Sequence, residues 1–299
     1  MGALSNQLLV FTIVLYIAAM VAYAVEYAFG TRRVPVPAGA PSASPSPVPS
    51  RAGAIGVALN VLAVVLHAAA LLTRGFAAHR APWGNMYEFV LAVTLFGAIA
   101  WLVVLARRPQ LRHLGLYVVV SVALLLGLDG MVLYAPAGPL VPALNSYWLL
   151  IHVTAASLAS GILLVGFLSA ALHLTRLGYE QGKVRFPYGL GRRLPGVDTL
   201  ERLTFRVHAF AFPIWTFAIM CGAIWAEAAW GRYWGWDPKE TWSFVAWVVY
   251  ASYLHARSTP SVSRRVVAWI AVIGWVAMLI NLLGVNIFAS SFHSYSGIK

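Results

Sequence analysis

Long apolar stretches constrain this chain more than any other feature of its sequence. An apolar stretch of about 20 residues can cross the hydrocarbon core of a bilayer as an α-helix. Only 10% of the residues are charged, which excludes a soluble domain, and the stretches lack the alternation of membrane β-strands. We therefore predict an all-α polytopic membrane protein whose single domain covers residues 1–299. It has about eight transmembrane helices, at 8–29, 54–73, 86–105, 114–133, 147–173, 208–227, 242–257 and 265–288.

The distribution of positive charge predicts how these helices are oriented. Sixteen of the 21 lysines and arginines lie in or beside 30–53, 106–113, 174–207 and 258–264, and five lie on the other side. Because such residues concentrate in cytoplasmic loops, both termini are predicted to be extracytoplasmic. Residues 30–53 form a cytoplasmic linker rich in Pro, Ser and Ala, and 174–207 form a basic cytoplasmic loop. Topology thus accounts for the net charge of +12, and no nucleic-acid partner is expected.

A helix start is predicted near the end of the basic loop. The run from Asp198 to Glu201 has the form of a capping box, in which an N-cap side chain and the side chain three residues later bond each other's backbone N–H. Apolar spacing follows it, which favours an interfacial helix leading into the sixth span.

Three histidines are candidate metal ligands because of their depth. His152 lies early in the fifth span and His293 follows the eighth, so both reach the extracytoplasmic face and can bind one metal from two sides. His255 lies about 20 Å below the start of the seventh span, in the inner half of the bilayer, where it needs a partner or a ligand. Taken singly, each is equally compatible with a histidine that only bonds between helices. The other histidines are interpreted as structural, loop or snorkelling residues: His67, His79, His113, His173 and His208.

An aromatic segment between the sixth and seventh spans, the tryptophan loop (residues 228–241), is predicted to be extracytoplasmic. The alternative to a binding role is an aromatic belt at the membrane interface, but four tryptophans and a tyrosine in thirteen residues exceed what a belt supplies. They offer flat apolar surfaces to a planar ligand, and a macrocycle with two axial histidine ligands, haem, fits the set. The tryptophans are Trp230, Trp234, Trp236 and, just after the loop, Trp242.

Charged residues of the tryptophan loop have separate interpretations. Asp237, followed by Pro238 and with Glu240 three positions on, has the pattern of a helix start. Arg232 and Lys239 either pair with haem propionates or are ordinary rim charges, and the sequence leaves both readings open.

From Asn145 to its end, the sequence resembles the cytochrome c-type biogenesis proteins of the CcsA/ResC kind, haem-handling membrane proteins of the System II pathway. The tryptophan loop is similar to the "WWD" signature of that family, and the stretch 82–88 is similar to the segment that opens its third span. The other matching segments are 145–148 with His152, 253–255, 284–286 and 293–295.

The resemblance implies a haem site and its ligands. His152 and His293 would be the two axial ligands of haem b at the extracytoplasmic face. His255 would be one ligand of an inner haem, with the opposing histidine supplied by a membrane partner of the ResB type that carries a large extracytoplasmic domain. The haem ring would be cradled by Trp230, Trp234, Trp236, Asp237 and Trp242.

The same resemblance implies a function. The chain would present haem for thioether attachment to the CxxCH segment of apocytochrome c, as part of a holocytochrome c synthase (haem lyase) complex. It would position the reactants and contribute no catalytic residue. The alternatives are a haem exporter that hands haem to a chaperone and a b-type redox subunit with two histidine ligands. The expected location is a bacterial cytoplasmic membrane, with the thylakoid membrane as the alternative.

Overall fold

The computed structural model describes residues 1–29, 51–140 and 145–289, and within these ranges the chain is helical without strands, which confirms the all-α prediction. Short 3₁₀ helices cover Pro109–Leu114 and Tyr188–Arg193, and π-helical turns cover Asp129–Leu133 and Ile280–Gly284. The α-helices are α1 (Gly2–Phe29), α2 (Arg51–Ala78), α3 (Met86–Arg107), α4 (Gly115–Leu128), α5 (Tyr147–Glu180), α6 (Val197–Trp230), α7 (Pro238–Ser258), α8 (Arg264–Leu279) and α9 (Val285–Phe288).

Seven helical segments in the described part of the chain are long and apolar enough to cross a membrane, one fewer than predicted. The exception is α7, which lies where the seventh span was predicted and has 21 residues. Its hydropathy is lower because tryptophan, tyrosine, serine and histidine replace aliphatic residues along it. The chain is therefore a multi-pass membrane protein in which α7 is the least apolar long helix.

The predicted basic loop at 174–207 is largely helical. α5 continues to Glu180, and α6 begins at Val197 with Gly196 as its N-cap, so the predicted cap at Asp198 is wrong. Asp198 lies in the first turn of α6 and binds Arg264 at 2.5 Å instead. Most of the predicted linker at 30–53 lies outside the described residues, and α2 begins at Arg51.

The helices pack as an N-terminal half, α1 to α4, and a C-terminal half, α5 to α8. Within the C-terminal half, α5 is the helix that packs against the N-terminal half. α5 packs against α3 on one side and against α6 and α8 on the other. α5 and α3 approach each other closely at Gly161. A Cβ there would lie only 2.6 Å from the backbone N of Gly97, so the approach depends on a glycine at this position. This contact brings the start of α3 and the start of α5 together at one end of the bundle.

A buried charge cluster fixes that end of the N-terminal half. The Glu88 carboxylate is fully buried and accepts hydrogen bonds from Arg74 Nε at 3.0 Å, Arg80 Nη1 at 2.7 Å and the Gly84 N–H at 2.7 Å. Arg80 also donates to the Gly138 carbonyl at 2.9 Å. The cluster ties α2, the start of α3 and the segment after α4 to one another.

Candidate functional site

A cavity opens at the end of the bundle that carries the tryptophan loop, which we call the loop end. Its void, counted with the open mouth and the solvent space in front of it, measures about 1230 Å³. Residues of α3, α5, α6, α7 and α8 line it together with the loop, and most of the lining is apolar. Six tryptophans contribute to its wall: Trp83, Trp215, Trp225, Trp230, Trp234 and Trp275.

His152 is held in the cavity wall in a defined orientation. Its Nδ1 lies 2.8 Å from the carbonyl oxygen of Ala218 on α6. A carbonyl only accepts hydrogen bonds, so Nδ1 must donate, and in the neutral ring the lone pair is then on Nε2. Metal-binding histidines are oriented in this way, with one ring nitrogen bonded to a backbone carbonyl and the other left to ligate.

The packing around His152 requires a glycine on the facing helix. A Cβ at Gly222 would lie 2.7 Å from Cε1 of His152, so the ring lies directly against the α6 backbone. The Trp225 ring lies nearly parallel to the imidazole, at an interplanar angle of 14° and a centroid distance of 6.0 Å. The α6 segment from Ala218 to Trp225 thus determines where the imidazole points.

The tryptophan loop is shorter than predicted and is braced by its own polar groups. α6 continues to Trp230 and ends at Gly231, which adopts the left-handed conformation with φ +70°. Glu240 Oε2 accepts from the backbone N–H of Gly235 at 2.8 Å and of Asp237 at 3.1 Å. With Asp237 as N-cap this completes the capping box of α7, which confirms the predicted helix start.

The structure divides the predicted tryptophan cradle into two groups. Trp230 and Trp234 line the cavity. Trp236 is 66% exposed, Trp242 packs against the main core, and Asp237 is buried as the cap of α7. None of these last three is among the described lining residues. Sequence spacing does not separate the two groups, because the turn at 231–237 decides which rings face inward.

Lys239 lines the cavity in the first turn of α7. Its ammonium donates to the carbonyl oxygen of Asn281 at 3.0 Å. Arg232 is not among the lining residues, and its guanidinium lies against Gly235, where a Cβ would be 2.1 Å away.

The remaining predicted ligands lie elsewhere. His255 is in the last turn of α7 and is exposed on the surface of the bundle, whereas its neighbours Tyr253 and Ala256 face inward. His293 lies outside the described residues. The described structure therefore brings one of the three histidines, His152, to the cavity.

The interpretation of His208 and His173 as snorkelling or loop residues is wrong. His208 is completely buried, with its ring centroid 4.6 Å from that of Tyr253, and His173 is 2% exposed. The reason is the length of α5 and α6, which extend past the predicted span ends and place both side chains between packed helices.

Polar residues of α7 and of the segment that follows α8 lie in the cavity wall and were missed by the sequence reasoning. Asn281 donates to the Ser243 hydroxyl at 2.9 Å, and both residues line the cavity together with Asn286. Asn281 belongs to the π-helical turn Ile280–Gly284. An asparagine inside an apolar span was the available signal, because buried polar groups in membranes mark functional sites. π-turns in long helices are often found at functional sites as well.

Known proteins are similar to this chain in sequence, and a solved structure is similar to it in fold. A family model described as cytochrome C assembly protein matches residues 83–293. The cytochrome c biogenesis protein CcsA of Guillardia theta is 35% identical, over 82% of this chain and 86% of its own. The CcsA protein of Synechocystis sp. is 33% identical, over 83% of this chain and 88% of its own.

A solved structure, that of the cytochrome c haem lyase CcmF, has a similar fold. Its TM-score is 0.67 at 15% sequence identity, and the match covers 99% of this chain. The chain corresponds to about half of that longer protein, 48% of its length.

Proposed function

The chain belongs to the cytochrome c assembly family, and from this premise we propose that it binds haem b in the cavity at the loop end and presents it for covalent attachment to apocytochrome c. The observation that carries the proposal is the tryptophan-lined cavity with an oriented histidine in its wall. The chain takes part in cytochrome c biogenesis as a multi-pass membrane protein. The haem site and the attachment step are the proposal.

The donor set of the cavity fits haem. A neutral imidazole with its lone pair on Nε2 is an axial ligand for iron, and His152 is fixed in that tautomer by Ala218. Aromatic walls suit a flat macrocycle, and Trp230 and Trp234 supply them beside the histidine. We propose that His293 supplies the second axial ligand from beyond the described residues.

Bound haem would supply iron and two vinyl groups, and each thiol of CxxCH would add across one vinyl group, its sulfur bonding one carbon and its hydrogen going to the other. The chain's residues position the reactants. His152, oriented by the Ala218 carbonyl, would ligate the iron through its other ring nitrogen, and the substrate's own histidine would take that place on attachment. The tryptophans hold the ring plane and exclude water from the cavity.

We further propose a ResB-type partner at α7. His255 is exposed on the bundle surface in the last turn of α7, where lipid would otherwise surround it. An imidazole surrounded by lipid is energetically costly. A partner helix that covers His255 would remove it from lipid, and a histidine on that helix would supply the opposing ligand of the inner haem. We place the complex in a bacterial cytoplasmic membrane, with the tryptophan loop on the extracytoplasmic side.

Reconstitution with a substrate tests this function. The purified chain and a ResB-type partner in lipid vesicles receive haem and an apocytochrome c with one CxxCH, and covalently bound haem is detected on a denaturing gel. The wild type should yield the haem-bearing product, and His152→Ala should not. Glu180→Gln, a change in an exposed ion pair at the far end of α5, is the control and should retain the product. Haem that binds without attachment would favour the exporter, and a chain that binds no haem would overturn the proposal.

A further inference from the structure

The cavity wall contains a single cationic side chain among its described residues, Lys239. Its position is fixed from two sides. At its backbone, the N–H donates to the carboxylate of the N-cap residue Asp237 at 3.2 Å. At its tip, the ammonium donates to the Asn281 carbonyl at 3.0 Å, across to the π-turn that follows α8.

The ammonium retains bonding capacity toward the cavity. It has three N–H donors, and the bond to Asn281 uses one of them on a neutral acceptor. A charge in apolar surroundings is unfavourable unless it is paired, so an anionic group is the partner that best compensates Lys239. The N-terminus of α7 lies at the same point, and its positive dipole end adds to the preference for an anion.

The two neighbouring carboxylates are engaged with backbone groups. Asp237 caps α7, and Glu240 Oε2 accepts from the N–H groups of Gly235 and Asp237. Both carboxylates brace the tryptophan loop. Asp237 also interacts electrostatically with the Lys239 ammonium, and Glu240 lines the same cavity, but among the described residues neither carboxylate lies within 4.0 Å of that ammonium. Arg232, the other candidate for binding a propionate in the sequence, lies against Gly235 and is not among the described residues that line the cavity.

We propose that Lys239 binds a carboxylate of the cavity's ligand, which for haem is a propionate, and that this contact sets the direction in which the macrocycle enters. The inference rests on the proposed function, because it takes haem as the ligand. Propionates and vinyl groups lie on different edges of haem. Anchoring a propionate at the start of α7 therefore decides which edge remains accessible to the thiols of the substrate.

The test compares haem with haem dimethyl ester, whose carboxylates are masked, on the full chain in detergent. Wild-type protein should bind haem at least about tenfold more tightly than the ester. Lys239→Met should bind both with the wild-type affinity for the ester, and that retained affinity shows that the cavity is folded. Lys239→Arg should keep part of the preference. Arg232→Met is the matched control and should keep all of it.

The possible results distinguish the propionate contact of Lys239 from haem binding itself. Equal binding of haem and its ester by the wild type, or a full preference in Lys239→Met, would overturn the propionate contact while leaving haem binding intact. Absence of binding of either compound to the wild type would overturn both proposals. If Lys239→Met binds neither compound, Lys239→Arg decides: a retained preference supports the contact and a lost preference overturns it.

Discussion

Two histidines in the C-terminal half are held by the same local device. The imidazole of His152 lies against Gly222, where a Cβ would be 2.7 Å from Cε1, and that of His208 lies against Gly166, where the distance would be 2.6 Å. Each Nδ1 is 2.8 Å from a backbone carbonyl oxygen. In both places a glycine on a neighbouring helix makes room for the ring.

The surroundings of the two rings differ. His208 is completely buried between Tyr250 and Tyr253, and the carbonyl it contacts belongs to its own helix, one turn back. His152 faces a cavity, and its carbonyl belongs to the facing helix α6. An oriented imidazole is therefore a candidate ligand where the packing leaves a cavity beside the ring, as at His152, and a structural residue where the ring is enclosed, as at His208.

The largest predicted effect is a loss of stability at the buried charge cluster around Glu88. Glu88→Ala would leave Arg74 and Arg80 without their buried counter-charge, and breaking such a cluster typically costs about 3–5 kcal/mol. Thermal unfolding in detergent should show a large drop in midpoint. Glu180→Ala, in an exposed i,i+4 pair, should cost less than about 1 kcal/mol. Equal shifts for the two variants would contradict the structural role of the cluster.

The paired glycines test the comparison itself. Gly222→Ala should weaken haem binding about 10- to 100-fold, because the new Cβ would displace the imidazole from the position in which the Ala218 carbonyl holds it. Gly166→Ala should instead lower stability by about 1–3 kcal/mol, because His208 has no space to enter. Haem titration and thermal unfolding of both variants measure the two effects.

A third glycine provides the control for this pair. Gly127→Ala places its Cβ in open space on α4 and should leave haem binding unchanged, while stability should stay the same or rise by up to about 1 kcal/mol through the higher helix propensity of alanine. If Gly166→Ala weakened haem binding as much as Gly222→Ala at unchanged stability, the distinction between the two histidines would be wrong.

A smaller effect distinguishes the two faces of the tryptophan loop. Trp234→Ala removes a ring from the cavity wall and should weaken haem binding about 5- to 10-fold, in the range of a lost aromatic contact. Trp236→Ala removes a ring that is 66% exposed and should change the affinity by less than about twofold. The reverse order in a haem titration would show that the loop closes differently around its ligand.

The smallest effect concerns the neighbour of His208. The Tyr250 hydroxyl is buried and makes no hydrogen bond within the described part of the chain. Tyr250→Phe should therefore change stability by less than about 0.5 kcal/mol or raise it slightly. A loss above 1 kcal/mol in thermal unfolding would indicate that the hydroxyl has a partner in the membrane-embedded protein.

The sequence predicted the helical class, most helix positions, the start of α7 and the position of His152 at the end of the bundle that carries the tryptophan loop, because span length, capping chemistry and depth are local properties. It did not distinguish His208 from a loop histidine, because helix length beyond the apolar stretch depends on tertiary packing. It did not separate Trp234 from Trp236, because the backbone turn between α6 and α7 decides which ring faces the cavity. The orientation of the termini and the roles of His255 and His293 stay predictions.

A ligand exchange at His152 tests the central claim most directly. His152→Met, compared with His208→Met, is loaded with haem, and absorption spectra and the midpoint potential are recorded. Replacing an axial histidine by methionine raises the potential of haem. We expect a higher potential and an altered spectrum for His152→Met and wild-type values for His208→Met. An unchanged potential and spectrum in His152→Met would contradict the claim that His152 ligates the haem.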